Sequence, residues 1–218
     1  MMNRRDWMRV IAAGGAAAAS MRIAQALAKG DLPPGINQLD GTASVNGRPA
    51  HVGEPVNLGD RVVTGRLSQA VIVVGGDAFL VRAKSAIEVK GKDGILKELV
   101  VASGRVLSVF SKKPVVIQAA SASIGIRGTG AYIEINPDSV YFCLCYGEAL
   151  VEGPGMAARV VKTTHHEQPL LLHDDGGIMR VEPGPFLNHT DAELVMLEAL
   201  VGREPPFMKG GMYPAKQY

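Results

Sequence analysis

Two cysteines and one tryptophan are all that this chain of 218 residues carries of those types, and aromatic residues make up 5% of it. So few thiols exclude a small disulfide-stapled scaffold and leave a hydrophobic core as the source of stability. No stretch reaches the roughly 20 consecutive apolar residues that span a hydrocarbon core. A surplus of one charge is missing too: 23 Lys and Arg face 21 Asp and Glu, for a formal net charge of +2. No Lys/Arg-rich run follows the N-terminal segment, which excludes a nucleic-acid surface. The sequence also lacks a G-x-S-x-G elbow, an H-E-x-x-H pair and a phosphate loop, so a non-enzyme is expected. Strands do not alternate with long amphipathic helices, which argues against a parallel α/β sheet.

What is present begins with a leader. Arg4, Arg5 and Arg9 precede a weakly apolar Ala/Gly-rich stretch from Val10 to Ala19. Small residues in A-x-A spacing then follow at Ala24–Ala26 and Ala26–Ala28. That order is an export signal. Arg4-Arg5 with Trp7, Met8 and Arg9 resembles the twin-arginine signal, with Asn3 as the departure; that route carries proteins already folded. Residues 1–28 are therefore expected to be a signal peptide cut after Ala26 or Ala28, or else retained as an inner-membrane anchor. Four arginines against Asp6 lie in the leader, so its removal takes the formal charge from +2 to −1. The mature chain is expected in the periplasm with no integral membrane span.

Residues 42–182 read as one domain of short β-branched runs, such as "QAVIVV", "PVVIQA", "SVYFCLCY" and "ARVVKTT". Breaks are expected at Gly75-Gly76-Asp77, Lys92-Asp93-Gly94, Ser103-Gly104, Pro137-Asp138 and Asp174-Asp175-Gly176-Gly177. Turns at intervals of about 8–12 residues predict a mainly β fold: an antiparallel sandwich, barrel or solenoid. One C-terminal α-helix is expected over 188–203. Thr190 and Glu193 form its capping box, and Leu194, Leu197 and Val201 its apolar stripe. Gly202 and Pro205-Pro206 stop it, leaving residues 204–218 as a tail.

Cys143 and Cys145 stand at i and i+2 of one expected strand, so both side chains leave the same face. Three readings follow: inward packing, a strained disulfide, or a metal site. For the last, "KTTHHEQPLLLHDD" offers His165, His166 and His173. A Cys2His2 set of Cys143, Cys145, one of His165 and His166, and His173 would suit zinc, copper or iron. Neighbours on a strand point oppositely, so only one of His165 and His166 is expected on the thiol side. His51 and His189 are read as isolated, the latter as solvated ahead of the helix cap.

The stretch 52–152 resembles the FecR-type periplasmic domain. It carries Gly59-Asp60 and Thr64-Gly65 in its first half, then Ile126-Arg127-Gly128-Thr129 and a strand ending at Gly147. Gly128 and Gly130 suit a bend or bulge, and Arg127 is expected to cap carbonyls or pair with Glu134. "GIRGTG" has no following helix and cannot serve as an anion-binding loop. The resemblance implies a β-rich binding or sensing module that recognises a protein or envelope partner. Members of that family relay an iron-chelate signal to a sigma factor, whereas this chain is expected to be the sensing module exported alone. The alternative is a small exported metal-binding or redox-active protein built on Cys143 and Cys145.

Overall fold

The computed structural model describes residues 33–210, so the leader, and the tail beyond 210, lie outside the described residues. The first strands are β1 Gly35–Asp40, β2 Ala43–Val45, β3 Arg48–Pro49, β4 Arg61–Thr64 and β5 Gln69–Val74. There follow β6 Asp77–Val81, β7 Ala86–Lys92, β8 Ile95–Val109, β9 Pro114–Ala119 and β10 Ala122–Arg127. The last five are β11 Gly130–Ile135, β12 Val140–Glu152, β13 Arg159–Thr163, β14 Leu170–Asp174 and β15 Met179–Pro183. One helix, α1 Asp191–Leu200, and a 3-10 turn, Pro206–Gly210, close the described chain. Among the described residues, the mainly β architecture with one α-helix near the C-terminus is as expected.

The strands form two layers. The first runs β1-β5-β6-β8-β11-β12-β14-β15. The second runs β3-β2-β4-β7-β8-β9-β10-β12-β13. Every pairing is antiparallel except β8 with β9. Two long strands, β8 and β12, belong to both layers and bend between them at Gly104 (φ 78°) and Gly147 (φ 100°). The sequence reading placed a break at Ser103-Gly104 and split β12 in two; both glycines instead turn an unbroken strand. It also missed β1, β2, β3 and β10, which are short or built from small residues that carry little periodic signal.

Between the layers lies the main core, including Ile72, Phe79, Ile87, Leu99, Ile117, Phe142 and Leu144, none more than 1% exposed. The outer face of the first layer is buried as well. Leu80, Leu107, Tyr132, Tyr141, Cys143 and Cys145 pack there under Leu194, Leu197 and Leu200 of α1. A strand covered on both faces needs no polar alternation, which is why "QAVIVV" and "VYFCLCY" read as continuous apolar runs. The capping box forms as expected: Glu193 N–H donates to Thr190 Oγ1 (3.3 Å), and Thr190 N–H to the Glu193 carboxylate (2.9 Å).

Gly147 carries a strict requirement. A Cβ there would sit 2.7 Å from Thr129 Cγ2, and Thr129 is fully buried. Positive φ and this clash act together, so Gly147→Ala is expected to cost about 2–4 kcal/mol. Urea unfolding checks it, and a loss below about 0.5 kcal/mol would show that β12 bends without needing glycine.

Candidate metal centre

Alternation along β12 sends Phe142 and Leu144 into the main core, and Tyr141, Cys143 and Cys145 to the outer face. Both cysteines are free and 0% exposed. The second contributor follows β13, where the chain leaves the sheet at Thr163. Glu167 fastens the turn by accepting from the Thr164 and His165 N–H groups (2.8 and 2.9 Å) and from the hydroxyls of Thr163 and Thr164. His166 has φ 59°, and its N–H donates to Cys145 O at 3.1 Å, which folds the ring beneath the turn onto the thiols. The third contributor is the strap leading from β15 to α1. Tyr141 Oη donates to Pro185 O (2.8 Å) and accepts from Leu187 N–H (3.2 Å), laying the strap across the sheet. His189 follows, stacked on Tyr132 with ring centroids 4.6 Å apart, and only 3% exposed.

Four donor atoms meet there, all within 4.8 Å of one another: Cys143 Sγ, Cys145 Sγ and a nitrogen each of His166 and His189. Cys143 Sγ lies 3.5 Å from His166 Nδ1, and Cys145 Sγ 3.5 Å from His189 Nε2. The two nitrogens are 3.3 Å apart. Zinc bound tetrahedrally, with Zn–S about 2.3 Å and Zn–N about 2.0–2.1 Å, requires S···N edges of about 3.5–3.6 Å and N···N edges of about 3.3–3.4 Å.

The far side of each ring sets its tautomer. His166 Nε2 is 3.0 Å from Asp191 Oδ1, and His189 Nδ1 is 2.6 Å from Leu187 O. Both partners are acceptors, so those nitrogens carry the hydrogens and the facing nitrogens, if neutral, carry lone pairs. Two lone pairs 3.3 Å apart repel. A cation or a proton between them removes the conflict.

The local field favours ionised thiol. Cys143 is held well below its ordinary value, first by a hydrogen bond from the Cys145 thiol, then, against burial, by His166 and His189, which can donate to it only with a hydrogen on the facing nitrogen. Burial pushes Cys145 up, so the pair loses its first proton readily and its second with difficulty. On His166 burial opposes charge, but Asp191 and Cys143 outweigh it and raise its affinity for a proton.

The remaining sequence-derived candidates lie elsewhere. His165 does not point away from His166: β13 has ended, the strand rule no longer applies, and both rings converge on Asp191 Oδ1, His165 at 2.9 Å. His165 stacks on Phe207 (4.5 Å) and does not reach the thiols. His173 is not brought to the cysteines; on β14 it contacts Asp138 O (3.2 Å) and Glu182 (3.7 Å). The fourth donor is instead His189, read from sequence as solvated. A signal for it existed, because the residue before a capping-box Thr occupies the position that packs inward against the first turns of the helix.

The residues that carry the sequence resemblance over 52–152 build strand junctions. Gly59 N–H donates to Val89 O, and Asp60 accepts from Asn57 N–H and Asn46 Nδ2 (both 2.7 Å). Thr64 accepts from Ser85 N–H (3.0 Å), and Gly65 N–H donates to Thr42 O (2.9 Å). Ile126 is in the core and Thr129 packs under Gly147. Gly128 has φ 66°, and Gly130 sits at a bulge opposite Tyr146. Arg127 Nε caps Lys112 O at 2.9 Å; Glu134 instead accepts from Tyr132 Oη and Asn188 Nδ2.

No family model and no curated protein matches this chain. Among solved structures, two crystal structures of a candidate anti-sigma factor from Parabacteroides distasonis are similar, each with a TM-score of 0.48 and at 8% and 9% identity. Each match covers 56% of this chain and 59% of that one, so this chain spans somewhat more than half the length of the protein it matches. The likeness is one of backbone architecture and carries no assignment of function.

Proposed function

We propose that this chain is a non-enzymatic, metal-holding β module of the bacterial envelope, exported through its twin-arginine leader. Cys143, Cys145, His166 and His189 bind one divalent ion of the zinc class. The observation that supports this is the match of all three close donor edges, 3.5, 3.5 and 3.3 Å, to a zinc tetrahedron. Four protein donors leave no open position for substrate, so the ion would serve structure or sensing and not catalysis. Two thiolates and two imidazoles suit zinc, or copper in its reduced state, better than the hard cations. Export of a folded protein fits an ion enclosed before translocation. The resemblance over residues 52–152 supports a protein or envelope partner for the β body, with metal binding as its internal requirement.

A second reading has its own observation. A proton on His166 would also relieve the lone-pair conflict and leave an imidazolium beside a Cys143 thiolate, a redox-active pair. Elemental analysis of the purified mature protein separates the two. One zinc per chain is expected, replaceable by cobalt with thiolate charge-transfer and tetrahedral absorption bands. Cys143→Ser and His189→Ala should lose the ion, and His173→Ala should keep it. Protein that takes up neither zinc nor cobalt, yet reacts rapidly with thiol reagents at Cys143, would leave only the redox pair.

A further inference from the structure

Resting on the metal reading above, we infer that the ion acts as a latch on the C-terminal layer. Its occupancy governs whether residues 184–203 stay closed over the first β layer. Two donors, Cys143 and Cys145, belong to β12, which pairs with β11 along this stretch and with β14 just before it. The other two come from outside the sheets: His166 from the β13–β14 turn, and His189 from the strap immediately before α1. The ion therefore joins the strap to the sheet at the root of the helix. Asp191, the first residue of α1, reinforces the joint by receiving His166.

The helix does not hold itself in order. A ten-residue helix is too short to persist without packing. Tyr141 holds the strap and Tyr146 holds Glu198 at the far end of the helix; the ties beside His189 are partly exposed, with Arg82 donating to Asn188 O (2.9 Å) and Glu193 (2.8 Å), and Asn188 donating to Glu134 (2.9 Å). Without the ion, the facing nitrogens of His166 and His189, 3.3 Å apart, have only the weak thiol donors of Cys143 and Cys145 as partners inside a buried site. Lifting the strap relieves that conflict at once. The body of the protein need not follow, because the main core lies between the layers and includes no residue of the strap or helix. Opening would bare Val71, Val73, Leu80, Leu107 and Tyr132, an apolar face that packs against the closed layer. Local opening of this kind is a low-energy event in a domain whose core remains intact.

Hydrogen exchange on the mature chain tests the latch, with protein zinc-loaded, stripped by chelator, and reloaded with zinc. After stripping, exchange of amides in residues 186–203 should quicken at least tenfold more than that of amides in β7 to β10, and recover on reloading. His189→Ala should show the fast pattern without chelator. By reciprocity, Leu197→Ala, which removes no ligand but loosens the helix, should weaken zinc binding about tenfold or more. Tight zinc binding with equal protection of 186–203 in both forms overturns the latch and leaves the metal site standing. An equal acceleration over the whole chain overturns it too, because the ion then stabilises the fold without favouring the layer. Failure to bind zinc at all removes the metal reading itself.

Discussion

Chelation is expected to lower the melting temperature of the mature chain by roughly 8–16 °C. A ligand present at about 1,000 times its dissociation constant stabilises by about 4 kcal/mol. For a domain of this size each kcal/mol moves the midpoint by roughly 2–4 °C. The effect is large because the four donors come from three segments that are distant in the unfolded chain, so the binding energy is also folding energy. Cys145→Ser and His189→Ala should close the gap between loaded and stripped protein, and His173→Ala should preserve it. The gap should also shrink as pH falls, because the thiols and imidazoles must shed protons to bind the ion. Differential scanning fluorimetry with and without chelator measures all of this. A gap under 2 °C that no ligand substitution changes would remove the ion from any structural role.

Glu198→Ala is the second large effect, with an expected loss of about 3–5 kcal/mol. Glu198 lies on the inward face of α1 and is 3% exposed. Its carboxylate accepts from the Tyr146 hydroxyl and from Arg203 Nε (2.5 Å), whose Nη1 reaches Gly76 O. Burial, then Glu198, pushes the Tyr146 phenol far above its ordinary range, so it stays a donor at any physiological pH. Truncation at Glu198 leaves a buried phenol without its acceptor and takes from Arg203 one of its two acceptors. Tyr146→Phe alone removes one partner and should cost less, with the double variant costing well below the sum. By contrast, Arg180→Ala acts on an exposed pair with Asp175 and Glu182 and should stay within about 0.5 kcal/mol. If Glu198→Ala also falls within that margin, packing of Leu194 and Leu197 alone seats the helix.

Much of the architecture was legible because it follows from local chemistry. Gly75-Gly76-Asp77 and Lys92-Asp93-Gly94 mark real turns, and Thr190 with Glu193 marks the helix start. Gly104 and Gly147 misled for a physical reason: a glycine with positive φ ends a strand in one context and bends it in another. Only the pairing partners on either side decide which.

The candidate site divides the same way. Period-two geometry put Cys143 and Cys145 on one face from sequence alone, and the scarcity of thiols elsewhere made that pair conspicuous. Whether His165 or His166 joins them depended on where β13 stops. The Thr163–Glu167 turn decides that, and not strand alternation. His173, equally plausible by spacing, is held by β14 on another part of the sheet. His189 lies 44 residues from Cys145 and becomes its neighbour only because the strap crosses the layer. Strand period, turn chemistry and helix capping are short-range properties that neighbouring residues can encode. Convergence of a strand, a turn and a strap on one buried point depends on the packing of the whole chain, which no local window contains.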